Sequence, residues 1–182
     1  RENFYQSDSY KTLRKRYAVE VEVSDIAGVY VETFLPKEGV SPQNQDKILI
    51  NLHGGGFMSG SRTDSHLESI PVAALGKIKV ISIDYRMSPE HHYPAATDDV
   101  VAVYQALLKN YSPKDIGLFG SSAGAQLVAQ TLARLQQANI PSPAAVAMIA
   151  EGATVHNLGD SIAMAGAVFE AKTGISVEDI TH

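Results

Sequence analysis

The sequence predicts an α/β domain with a mostly parallel sheet and helices on both faces. Three observations carry this reading. Ile48–Leu52, Val80–Ile83, Ile116–Phe119 and Ala145–Ile149 are short, nearly all-apolar runs of the kind found in strands buried on both faces. Stretches with apolar residues at 3.6 spacing lie between them. Regular alternation of strand and helix is the pattern that builds a parallel sheet. The chain has 182 residues, one domain's worth, and no repeat or internal linker divides it.

Taken in order, residues 1–17 are polar, charged and rich in Tyr, and read as a loose or helical lead-in. Ala18–Val23 alternates apolar and charged residues as a half-exposed strand does. Asp25–Gly28 reads as a turn and Val29–Leu35 as a second strand, so an N-terminal hairpin is expected. Pro36–Lys47 is a polar loop. After the first buried run, Ser65-x-x-Glu68 has the spacing of a capping box for a helix ending near Leu75. Val100, Val103, Tyr104, Leu107 and Leu108 form one apolar helical stripe. Ala123–Ala138 is a third helix, with Val128, Leu132 and Leu135 on one face. Beyond the last buried run, a helix from Asp160 to Phe169 and the start of another at Ser176 are expected.

Composition excludes several classes of function. Lys and Arg number 15 against 20 Asp and Glu, a formal charge of −5, and no long basic run exists, so nucleic acid is not an expected partner. No apolar run approaches the ~20 residues of a membrane span, so no transmembrane segment is expected. With no cysteine there is no disulfide, thiolate metal site or Cys nucleophile. Residue 1 is Arg, so an upstream residue or segment is expected to have been removed. The compartment stays open, with the cytoplasm as the working expectation.

The chemistry concentrates in three places. Gly120-Ser121-Ser122-Ala123-Gly124 fits G-x-S-x-G and falls between a buried strand and a helix, which is the context that gives this motif meaning. A tight strand-to-helix turn with small flanking residues would lift the Ser122 hydroxyl clear of the sheet, against the positive end of the helix. His53-Gly54-Gly55-Gly56 directly follows Ile48–Leu52. Consecutive glycines cost chain entropy and are kept for geometry. Here they let backbone N–H groups approach a substrate oxygen, as in the HGGG oxyanion loop. A phosphate loop is disfavoured, since neither GKS/T nor G-x-G-x-x-G spacing is present. His53 reads as orienting this loop rather than as a catalytic base. The third place, Tyr85–Asp99, is a proline-stiffened loop leading into a helix. Its adjacent His91 and His92 point in different directions and lack a third ligand, so no metal site is expected.

With HGGG, YRMSPEHHYPAATDD and GSSAG in this order and spacing, the sequence from about Ala18 to Gly152 resembles the hormone-sensitive-lipase group of α/β-hydrolases, bacterial carboxylesterases and their relatives. The resemblance implies an α/β-hydrolase fold lacking its last two strands. It implies Ser122 as nucleophile, Gly55, Gly56 and Ala123 as oxyanion donors, and His53 and Gly54 as support for the loop. Arg86, Glu90 and Asp99 would be mainly structural. A small carboxylic ester is the implied substrate, and no cofactor is implied. Two departures stand out: Ser121 replaces the group's usual Asp, and Ala125 its last Gly.

A serine nucleophile needs a base, and the base an orienting acid, in the order Ser, acid, His for this fold. After Ser122 come His156, Asp160, Asp179 and His182, none in the expected context, so the triad acid and His remain unassigned in this chain. The domain from 18 to 182 is therefore expected to be incomplete at its C-terminal side and nearly inactive alone, with residues 1–17 as a cap segment. Ala145–Ile149 would otherwise be an exposed apolar edge. A homodimer or a complementing C-terminal chain are the expected protein partners. Two rival readings remain: a small-ligand binding module that has lost its triad, and an amide or formamide hydrolase using the same serine.

Overall fold

A computed structural model describes residues 1–150. The tail helices expected from Asp160 and Ser176, with His156, Asp160, Asp179 and His182, lie outside the described residues. Six strands form one mixed sheet in the order β1-β2-β4-β3-β5-β6. They are β1 (Val19–Ile26), β2 (Val29–Pro36), β3 (Ile48–Leu52), β4 (Lys79–Ile83), β5 (Ile116–Ser121) and β6 (Ala145–Ile149). The helices are α1 (Glu2–Gln6), α2 (Asp8–Arg16), α3 (Asp64–Gly76), α4 (Ala95–Leu107) and α5 (Ala123–Gln137).

The hairpin is longer and its turn tighter than the sequence predicts. β1 runs to Ile26 and pairs with β2 across only Ala27 and Gly28, both at positive φ (56° and 83°). Two positive φ values in a two-residue loop match the right-handed twist of the flanking strands. Asp25 belongs to the strand, and its Oδ1 accepts the Gly28 N–H at 2.8 Å. β2 then pairs antiparallel with β4, while β3–β4, β3–β5 and β5–β6 are all parallel.

The pleat sorts the side chains between two apolar layers. Ile48, Ile50, Leu52, Ile81, Ile83, Ile116 and Leu118 face α4 and α5, meeting Val100, Val103, Tyr104, Leu127, Val128 and Leu135. Phe34, Val80 and Phe119 face the other way, toward Ile70 and Ala73 of α3, with Tyr10 and Leu13 of α2 at the margin. The predicted helical stripe is thus the buried face of α4, with only Leu108 lying past its end. Each fully buried Leu or Ile in these layers contributes about 1.5–3 kcal/mol of transfer free energy. β6 has the predicted bounds, and Val146, Met148 and Ile149 on it are 42, 41 and 52% exposed.

The capping box is the clearest correction. α3 begins at Asp64, and no side chain caps it. The Gly60 carbonyl instead accepts the N–H groups of Thr63, Asp64 and Ser65 at 3.1, 2.9 and 3.3 Å. Ser65 Oγ turns away to Glu32 Oε2 (3.4 Å), and Glu68 serves the loop and turn described next. No helix among the described residues is long and apolar enough to cross a membrane.

Candidate active site

β3 and β5 are adjacent parallel strands, so the loops leaving their C-terminal ends arrive side by side. After β5 the chain turns at Ser122 with φ 51° and ψ −122°, and α5 starts at once. A side-chain-bearing residue there is strained by about 1–3 kcal/mol, and the surroundings must hold it. They do so in two ways. The Ser122 N–H donates to the Ile149 carbonyl at the end of β6 (2.9 Å), and its carbonyl accepts from Ala125 and Gln126. The flanking residues also leave no room for relaxation. A Cβ on Gly120 would lie 2.5 Å from the Gly124 carbonyl carbon, and one on Gly124 would lie 2.7 Å from the His53 carbonyl oxygen. The glycines of G-x-S-x-G are thus required by backbone packing of α5 on β5 and β3. Ser122 is itself exposed, while Ala123 behind it is buried. Ala125, in place of the group's glycine, fits fully buried.

The glycine loop lies against this turn. A Cβ on Gly54 would sit 3.1 Å from Ser121 Oγ and 3.5 Å from Ser122 Cβ. Gly55 and Gly56 have φ of 112° and 62°, and the Gly55 carbonyl takes the N–H groups of Met58 (3.1 Å) and Ser59 (3.0 Å), curling the loop back. Among the described residues, no protein acceptor takes the N–H of Gly55, Gly56 or Ala123. Unpaired donors of this kind, next to a helix N-terminus, are suited to receive a negative oxygen.

His53 anchors the loop from beneath. It is fully buried, stacks on the Tyr85 ring (centroids 4.3 Å, planes 12° apart), and its Nδ1 lies 2.7 Å from the Gly54 carbonyl. A carbonyl only accepts, so Nδ1 carries a proton in this contact. Burial holds its pKa below the ordinary value of 6.5, although the Gly54 carbonyl and nearby carboxylates pull the other way. Tyr85 Oη donates to the His53 carbonyl at 2.6 Å, and burial pushes that phenol well above its usual range. The unfolded chain therefore takes up a proton below about pH 6.5 that folded His53 refuses. Stability, complete above that pH, should decline on acidification, and His53→Asn should flatten the decline below about pH 6.5. Urea titrations across that range check this, and an identical slope in the variant would contradict it.

The Tyr85–Asp99 loop is pinned at both ends. Arg86 donates from its backbone N–H and Nε to Asp99 Oδ2 (2.9 and 3.0 Å), and its Nη2 pairs with Oδ1 at 2.8 Å. Ser88 N–H bonds the Phe57 carbonyl at 2.7 Å, tying this loop to the glycine loop. Arg86 and Asp99 have the structural role that the resemblance implies. Glu90 is exposed and makes no side-chain bond among the described residues, so that role is not seen for it. His91 and His92 are also exposed, and no group of three His, Asp or Glu among the described residues is placed to hold a metal ion.

Sequence reasoning missed Glu68. Its Oε1 accepts the Gly54 N–H (3.1 Å) and the Ser121 hydroxyl (2.5 Å), and its Oε2 accepts Asn51 Nδ2 (2.7 Å). Asn51 Oδ1 in turn accepts Ser82 Oγ at 2.7 Å. The available signal was one polar residue inside each of two apolar strands, Asn51 in β3 and Ser82 in β4, which are register partners.

Comparison with known proteins bears on the fold and the family. A profile described as alpha/beta hydrolase fold matches residues 49–174. An acetyl-hydrolase of Streptomyces hygroscopicus is 41% identical over 115 residues, covering 62% of this chain and 38% of that protein. Among solved structures, an esterase E25 superposes with TM-score 0.80 at 35% identity, over 96% of this chain and 53% of that one. An esterase from the bacterial hormone-sensitive lipase family superposes with TM-score 0.76 at 29% identity, over 90% and 53%. The chain thus spans under two fifths of that curated relative and about half of each of these structures.

Proposed function

Because the chain belongs to the alpha/beta hydrolase fold family, in its hormone-sensitive-lipase-like group, we propose that the complete protein is a serine esterase acting on small carboxylic esters. The observation that carries this reading is the exposed Ser122 on its strained turn, with the unpaired N–H groups of the glycine loop beside it.

In the proposed reaction, Ser122 Oγ attacks the ester carbonyl carbon and its proton passes to a base. The carbonyl oxygen takes the displaced electron pair and is held by the N–H groups of Gly55, Gly56 and Ala123, a contribution usually among the largest in acyl transfer. Collapse of the tetrahedral species breaks the ester C–O bond, and the alcohol leaves with the proton. Water then attacks the acyl-enzyme and releases the acid. His53 and His66 are buried and bonded to Gly54 and Glu32, so neither is offered as the base, and the triad acid and histidine stay unassigned. Residues 1–17 are assigned to the pocket rim. Tyr5 Oη bonds the Arg62 carbonyl at 2.7 Å and Arg1 bonds Ser61 at 3.1 Å, beside the glycine loop.

The test uses the full-length protein with a fluorophosphonate probe and short-chain p-nitrophenyl esters. The expected result is one covalent adduct, located on Ser122 by mass spectrometry, that abolishes ester hydrolysis. No adduct beside retained binding of a small ligand would favour the binding module. A formanilide cleaved faster than the esters would move the substrate class to amides.

A further inference from the structure

We propose that Glu68 is a positioning residue that sets the distance between the nucleophile and the oxyanion donors. The inference rests on the serine esterase reading. Gly54 lies just past β3 and Ser121 ends β5; the ladder between the two strands closes at Leu52 and Gly120, and beyond it no backbone bond joins Gly54 to Ser121 among the described residues. A single carboxylate oxygen, Glu68 Oε1, accepts from both. Gly54 is the residue before the free N–H groups of Gly55 and Gly56, and Ser121 is the residue before Ser122. The carboxylate therefore holds both halves of the site one residue upstream of the atoms that react. Its own orientation is fixed from behind, because Oε2 accepts from Asn51, whose amide is oriented in turn by Ser82. Charge-assisted bonds to backbone N–H and hydroxyl are the stronger kind, and α3 carries them on a rigid element packed against the sheet.

The same contact gives Ser121 a reason. The related group usually has Asp at this position. An Asp here would bring a second carboxylate onto Glu68 Oε1, and two such charges at bonding distance cannot both stay ionised. Serine supplies a donor instead, so Glu68 and Ser121 form a matched pair.

The experiment measures kcat and KM for p-nitrophenyl acetate in the full-length protein, with thermal unfolding as a control for folding. Glu68→Ala should lower kcat about 10- to 100-fold, the usual effect of a small misplacement of reacting groups, with KM within about threefold. Glu68→Gln, which keeps an acceptor, should recover most of the loss. Ser121→Asp should lose activity similarly, and Ser121→Asp combined with Glu68→Gln should regain it, an outcome that a merely structural glutamate would not produce. Should Glu68→Ala not fold, the Ser121 pair decides. An unchanged kcat in folded Glu68→Ala, or no recovery in the double variant, overturns the proposal. Full activity in Ser122→Ala overturns the serine reading and this inference together, whereas loss there beside an unaffected Glu68→Ala overturns this inference alone.

Discussion

Ser122→Ala in the full-length protein is expected to lower kcat for short-chain p-nitrophenyl esters by about 10⁴-fold or more, since removing a serine nucleophile costs up to about 10⁶-fold in the best-studied serine hydrolases. The fold should survive. The side chain is exposed, the N–H bond to the Ile149 carbonyl does not involve it, and alanine tolerates φ 51° no worse than serine does. Residual catalysis from the oxyanion donors should persist, so the variant is expected to stay above the uncatalysed rate. Steady-state rates beside an unchanged unfolding midpoint check the two halves of this expectation. A loss below tenfold would remove Ser122 from the chemistry.

The second large effect concerns stability. Gly124→Ala places a methyl group against the Leu52 carbonyl oxygen and 2.7 Å from the His53 carbonyl oxygen. Both are backbone atoms of β3 and its end, unable to rotate aside as a side chain would. The clash must push α5 off the sheet, disturbing Leu127, Val128 and Leu135 in the main core, and should cost about 3 kcal/mol or more. Gly56→Ala is the informative contrast. Nothing lies within 4 Å of a Cβ there, so only the positive φ of 62° is penalised, by about 1–2 kcal/mol. Urea unfolding of the two variants separates a steric clash from backbone strain. Equal losses would show that the close packing at Gly124 is not what the glycine serves.

What the sequence disclosed depended on how far apart the interacting groups lie along the chain. β3 and β6 were legible to the residue, because both are short, nearly all-apolar runs; β3 is largely buried, whereas β6 is exposed among the described residues. The turn at Ser122 was legible because its geometry leaves room only for small residues at fixed spacing. The hairpin turn was misplaced by two residues, since Asp25 resembles a turn former while its side chain serves the turn from within the strand. Glu68 was misread because Ser65-x-x-Glu68 satisfies a local rule. Its partners sit 14 and 53 residues away, and only the crossing of β3 beside β5 brings them together. α3 starts on a backbone carbonyl, that of Gly60, which leaves no side-chain signature at the helix start. A triad acid and histidine are not assigned among the described residues, whose elements carry the proposed nucleophile and the glycine loop.

The backbone angle at Ser122 also sets stability against activity. Glycine adopts φ 51° more readily than serine, so Ser122→Gly is expected to raise the melting temperature while removing the proposed nucleophile. Laboratory evolution that rewards melting temperature alone would drift toward glycine at 122 and yield a sturdier but inert protein. Engineering for heat tolerance must therefore score turnover alongside it, and should spend its substitutions on the exposed surfaces of α4 and α5, away from the turn.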